Sequence, residues 1–94
     1  MPGYLIAQVE VTDPVGYERY RPLAAASIAR HGGKYVVRGG KTETLEGAPP
    51  ERVVVLEFPS MDAARNFYRS PDYTEARLIR EACATSKIFL VEGM

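Results

Sequence analysis

The chain holds 94 residues, with Lys plus Arg matching Asp plus Glu at 12 each, and that length sets the expectation of one domain, residues 1–94. Balanced charge with no run of either sign excludes the clustered basic face that an electrostatic nucleic-acid interface needs. No apolar run reaches the roughly 20 residues of a membrane-spanning helix, and the one cysteine, Cys83, excludes a disulfide within the chain.

In chain order, the first predicted element is a strand over residues 3–11. Leu5, Ala7, Val9 and Val11 fall on one face and Tyr4, Ile6, Gln8 and Glu10 on the other. Asp13-Pro14 is a helix start, with Asp13 able to cap the exposed amides and Pro14 suited to the first turn. Tyr17, Tyr20, Ala24, Ile28 and His31 recur at spacings of three and four and make one helical face. Pro22 lies inside that pattern, lacks the amide that would bond to Glu18, and is expected to bend the helix. Gly32-Gly33 ends it.

Residues 34–40 form the second predicted strand. Residues 41–51 are too long for a tight hairpin; a short strand extension before Gly47 and a break at Pro49-Pro50 are expected there. Arg52 to Phe58 is the third strand. Ser60 caps a second helix, with Asp62 favourable in its first turn and Ala64, Phe67 and Tyr68 on its inner side. Ser70-Pro71 repeats the signal, so a new helix starts at 71 and carries Tyr73, Ala76, Ile79, Arg80 and Cys83 at helical spacing. Residues 86–92 are the last strand.

The order βαββαβ, with right-handed crossovers, puts the helices on one side of a four-stranded antiparallel sheet, a ferredoxin-like α+β fold with its second helix broken at Ser70-Pro71. The third strand is apolar on both faces. If Val54, Leu56 and Phe58 meet the helices, Val53, Val55 and Glu57 face away, joined by Tyr4, Ile6 and alternate residues of 88–91. No helix is left to cover them, and such a face ordinarily marks an association surface. A two-fold homodimer through the sheet face is therefore expected.

Several motifs carry a family likeness. His31 to Gly40, Leu45-Glu46-Gly47, Arg52 to Ser60, Tyr68 to Tyr73 and Val91-Glu92-Gly93 together resemble the family called domain of unknown function 1330. The likeness runs from Tyr4 to Gly93. It implies a subunit of the dimeric α+β-barrel superfamily, whose relatives include antibiotic-biosynthesis monooxygenases, muconolactone isomerase and stress-responsive barrel proteins. The chain departs from the pattern at Ala48-Pro49-Pro50, where the resemblance leads one to expect an aromatic residue. The family brings no established reaction with it.

Gly39-Gly40-Lys41-Thr42 imitates the end of a phosphate-binding loop, but Tyr35 stands where that motif needs glycine and no helix follows, so it is rejected. One His and one Cys, far apart, do not make a metal site, and neither a metal nor another cofactor is expected. His31 and Glu57 are the candidate catalytic pair. His31, at a helix C-terminus, either moves protons or simply closes the helix. Glu57, an acid in an apolar strand, must shift its pKa or find a basic partner. The topology brings the end of strand three, the end of helix one and the start of strand two together, so His31, Lys34 and Glu57 are expected to meet. Arg38, roughly 20 Å along the strand from His31, either binds an anionic ligand or pairs with Glu10, and the pair is preferred. Tyr17, Tyr20, Tyr68 and Tyr73 either line a ligand cleft or serve as core residues with rim hydroxyls. Cys83 is expected to be a small helix-face residue. Two functional readings follow: a cytoplasmic protein binding a small organic molecule between helices and sheet, extending to cofactor-free acid–base catalysis, or a non-catalytic dimeric binding or stress-associated protein.

Overall fold

The alternation of Leu5, Ala7 and Val9 with Tyr4, Ile6 and Gln8 gives the first strand, β1 (Gly3–Val11), one buried face and one open face. The computed structural model describes residues 1–49 and 51–94. Asp13 caps the helix α1 (Pro14–Arg30) by accepting from the Gly16 amide at 3.3 Å, and α1 runs on through Pro22. Gly32, at φ 73°, takes the left-handed conformation that lets the chain leave the helix. The second strand, β2 (Lys34–Arg38), is shorter than expected because Gly39, at φ 66°, turns the chain away. No strand forms over residues 41–49, against the expected extension before Gly47, and the Pro50 half of the expected proline break lies outside the described residues.

The third strand, β3 (Arg52–Phe58), is followed by α2 (Met61–Arg69) and α3 (Pro71–Cys83). Ser70 joins the two helices through one hydroxyl. It donates to the Phe67 carbonyl at 2.7 Å and accepts from the Tyr73 amide at 3.3 Å, so it closes one helix and opens the next. The last strand, β4 (Ala84–Glu92), begins two residues earlier than expected, because Ala84 is already extended and pairs with Val11.

The sheet is antiparallel in the order β2-β3-β1-β4, the ferredoxin-like arrangement. Leu5, Ala7, Val9, Leu56 and Phe58 form the inner face. They pack against Tyr17, Ala24 and Ile28 of α1, Ala64 and Phe67 of α2, and Tyr73 and Ala76 of α3. Phe58 and Phe67, with centroids 5.2 Å apart, are the largest fully buried side chains. The helices are locked together near one end by Asp72. Ser27 Oγ donates to its Oδ2 at 2.9 Å, and Arg30 Nε approaches to 3.5 Å. No helix among the described residues is long and apolar enough to cross a membrane.

Candidate ligand-binding cleft

Between the helices and the inner face of the sheet lies a cleft with an interior volume of about 40 Å³. Its floor is Leu5, Ala7 and Val9 of β1, Val54 and Leu56 of β3, and Ile88 of β4. Its roof is Tyr17, Tyr20 and Ile28 of α1, Phe67 and Tyr68 of α2, and Tyr73 and Arg80 of α3. Arg21, Tyr35, Arg38 and Arg52 complete the β2 side. All four tyrosines singled out in the sequence, and Arg38, therefore line one space.

The tyrosines are arranged by helix geometry. Tyr17 and Tyr20 are three positions apart, and their centroids lie 5.4 Å apart. Tyr73 reaches across from α3, so that the Tyr20 and Tyr73 hydroxyls meet at 2.7 Å. Its ring also lies 4.5 Å from Phe67 and 5.8 Å from Tyr68. Burial pushes the pKa of both hydroxyls up, and each neighbouring tyrosine raises Tyr20 further. Both are neutral phenols at physiological pH. They serve as hydrogen-bonding groups, not as bases. The shared bond uses one of the two O–H groups, which leaves one donor and several lone pairs for a ligand.

The β2 side is organised by a bulge. Tyr35 pairs with Leu56, Val37 with Val55, and Arg38 with Val54, so one extra residue is accommodated between Tyr35 and Val37. In a regular strand Tyr35 and Arg38, three apart, would point to opposite faces. The bulge brings both to the helix side, and the Arg38 guanidinium lies 4.2 Å from the Tyr35 ring centre. The preferred pairing of Arg38 with Glu10 does not form among the described residues. Glu10 belongs to the even-numbered, outer side of β1, and the sheet stands between them. Arg52 lies over the Tyr17 ring at 5.5 Å. Its guanidinium packs where a side chain at Gly39 would stand.

The two candidate catalytic residues sit outside the cleft lining. Lys34 and Glu57 meet, as the topology required, at 3.7 Å and in direct register. His31 turns the other way. Its Nδ1 lies 2.9 Å from the Ser27 carbonyl, which places the proton on that nitrogen, and 3.8 Å from Asp72 Oδ2. Its ring meets the edge of Phe67 at 5.9 Å. His31 thus closes α1 against α3, and Glu57 belongs to an ion pair on the outer face of the sheet. Cys83 is buried, burial pushes its thiol pKa up, and its carbonyl accepts from the amides of Thr12 and Asp13. Among the described residues no three His, Cys, Asp or Glu side chains gather as metal ligands.

Sequence reasoning passed over Tyr35, Arg52 and Arg80. Arg80 was visible as a charged residue at an inner-face position of α3, and that was the signal to follow. It is 5% exposed.

A ferredoxin-like α+β fold with an aromatic cleft under its helices defines the class. The sequence matches the family model for Domain of unknown function (DUF1330) over residues 2–94, and the chain belongs to that family. No curated protein sequence matches it. Among solved structures it is similar to RPA0582, a protein of unknown function from Rhodopseudomonas palustris, with 24% identity over 99% of this chain and 82% of that one, at a TM-score of 0.81. It is also similar to SnoaB, a cofactor-independent oxygenase from Streptomyces nogalater, with 20% identity over 99% and 93% of the two chains, at a TM-score of 0.67. A dimeric ferredoxin-like protein of unknown function from Jannaschia sp. CCS1 shares 12% identity over 99% and 100%, at a TM-score of 0.69. At these identities the likeness is one of fold.

Proposed function

We propose that this chain is a cytoplasmic homodimer that binds a small organic molecule in the cleft between helices and sheet. The observation that carries the ligand reading is the Tyr20–Tyr73 hydroxyl pair, 2.7 Å apart, at the roof of an otherwise aromatic and aliphatic cavity. Small-molecule sites combine apolar walls with a few convergent polar groups in this way. The open sheet face, with Phe89 and Val91 each 42% exposed beside Tyr4, Ile6, Val53 and Val55, supports the dimer. The Jannaschia protein, described as dimeric, has the same fold. The free, buried thiol of Cys83 suits a reducing compartment.

SnoaB is a cofactor-independent oxygenase on this fold, and that analogy extends to this chain only as a statement about what the scaffold tolerates. The positions of His31 and Glu57, each with its own structural partners outside the cleft lining, favour binding over acid–base catalysis by that pair. Native mass spectrometry of the purified protein tests the reading, followed by NMR titration with whatever small molecule it carries. The expected result is a bound molecule whose addition shifts the ring signals of Tyr17, Tyr20 and Tyr73. Shifts confined to the outer surface, with these rings unmoved, refute it.

A further inference from the structure

The four arginines around the cleft, Arg21, Arg38, Arg52 and Arg80, face no acidic partner within it, because no Asp or Glu among the described residues lines the cavity. Arg21 is bonded to Glu18 on the helix surface at 3.0 Å. Arg80 differs from the others in depth. It is 5% exposed, its Nε is buried without a hydrogen-bond partner, and it forms no ion pair among the described residues. Glu81, its neighbour in sequence, shares with Arg80 the lining of a shallow dish bordered by Tyr68 and Ile88, but makes no ion pair with it among the described residues. The titratable groups that act on Arg80 are the phenols of Tyr73, Tyr20 and Tyr68.

A guanidinium does not release its proton inside a protein. Buried charges are ordinarily paired, since an unpaired one leaves several kcal/mol of desolvation uncompensated. Neighbouring phenols do not supply the counter-charge, because burial drives the Tyr20 and Tyr73 pKa values up. Arg52 repeats the pattern at the β2 side, its Nε likewise buried and without a partner. Among the described residues, the cleft lining holds no counter-charge for Arg80.

Resting on the reading that the cleft binds a small organic molecule, we infer that its ligand is a small organic acid whose carboxylate is held by Arg80, with the Tyr20–Tyr73 hydroxyl pair beside it. A carboxylate presents two acceptor oxygens, matched to the fork of a guanidinium and the spare phenol O–H. The interior volume of about 40 Å³ holds about three or four waters at roughly 10–15 Å³ each. That is space for a carboxylate group; the apolar body of the acid lies against the aliphatic floor and toward the mouth.

The test uses two matched pairs of probes, propionate with propionamide and benzoate with benzamide, titrated into the full chain by calorimetry and NMR. Each amide keeps the shape of its acid and removes the charge. In at least one pair the acid is expected to bind tenfold or more tightly than the amide and to shift the Arg80 Nε–H signal. Arg80→Met is expected to abolish that preference, while Arg80→Lys, which keeps the charge without the fork, retains part of it. Equal or tighter binding of the amides overturns the anion assignment and leaves the cleft reading standing. Failure of all four probes overturns both. An acid preference that survives in Arg80→Met, or an acid that leaves the Arg80 signal unmoved, also overturns the assignment.

Discussion

At the scale of single residues, the cleft is defined by groups that hydrogen-bond without titrating. The Tyr20–Tyr73 pair couples α1 to α3 through one partly buried hydrogen bond. Tyr20→Phe and Tyr73→Phe are each expected to cost about 0.5–1.5 kcal/mol of stability, with the double variant costing less than the sum because the same bond is lost in both. Urea unfolding of the four proteins measures this, and additive losses would show that the two hydroxyls are independent. Asp72 couples the same helices by a different chemistry. The hydrogen bond from Ser27 is the main cause holding its carboxyl below the usual value of 3.8, and His31 contributes. A carboxyl depressed in the folded state stabilises above its unfolded pKa, and that contribution disappears as pH falls through the folded value. Asp72→Asn should therefore lower the melting temperature at pH 7 and lose its effect as pH falls below the ordinary carboxylate range through the lowered folded value. A deficit that persists unchanged in acid would sink this reading of Asp72. His31, which looked like a proton carrier because it is the one histidine, belongs to this clamp through the Ser27 carbonyl. No pattern in the sequence announces that a ring nitrogen will find a backbone oxygen four residues back.

At the scale of elements, the strand and helix assignments were legible because each rests on short-range physics. Period-two alternation marked β1, the Asp13-Pro14 and Ser70-Pro71 starts marked α1 and α3, and Gly32 at positive φ closed α1. The bulge in β2 was not legible. Whether a strand of Lys-Tyr-Val-Val-Arg pairs regularly or with one extra residue is decided by β3, a long connection away, and by what each face must bury. That single irregularity determines whether Arg38 faces the cleft or the opposite side. It is why the pairing with Glu10, plausible on a regular strand, fails. Deleting Val36, the exposed residue at the bulge, should give regular pairing with Tyr35 and Arg38 two positions apart, so that both stay on the helix side. The expected result is a folded protein in which the Arg38 and Tyr35 signals still perturb each other, read by NMR. Loss of the fold would show that the bulge is needed for pairing itself, and loss of the Arg38–Tyr35 contact would show that the register had slipped instead.

For the whole molecule, the decisive asymmetry is between the two faces of one sheet. The inner face is covered by three helices, and its residues are almost fully buried. On the outer face Ile6 sits between Val55 on one side and Phe89 on the other, directly in register, with Tyr4 between Glu57 and Val91 one pair along. Apolar side chains are thus contiguous across three strands, where an antiparallel sheet open to water normally alternates to polar residues. Covering five of them contributes on the order of 5–10 kcal/mol at roughly 1.5–3 kcal/mol per fully buried side chain, before the cost of association. A second copy is suited to this face because a two-fold axis through it matches Ile6 and Val55 with the same groups on the partner. Val55→Asp places a charge at the centre of that patch, at a position that is not itself part of the cleft lining. Sedimentation at micromolar concentration should give a two-chain particle for the unmodified protein and a folded single chain for Val55→Asp. The far-ultraviolet circular dichroism of the variant should be retained, because the inner core is intact. An unmodified protein that sediments as one chain, or a variant whose assembly is undisturbed, would mean that the outer face is stable in water and that the dimer, if any, forms elsewhere.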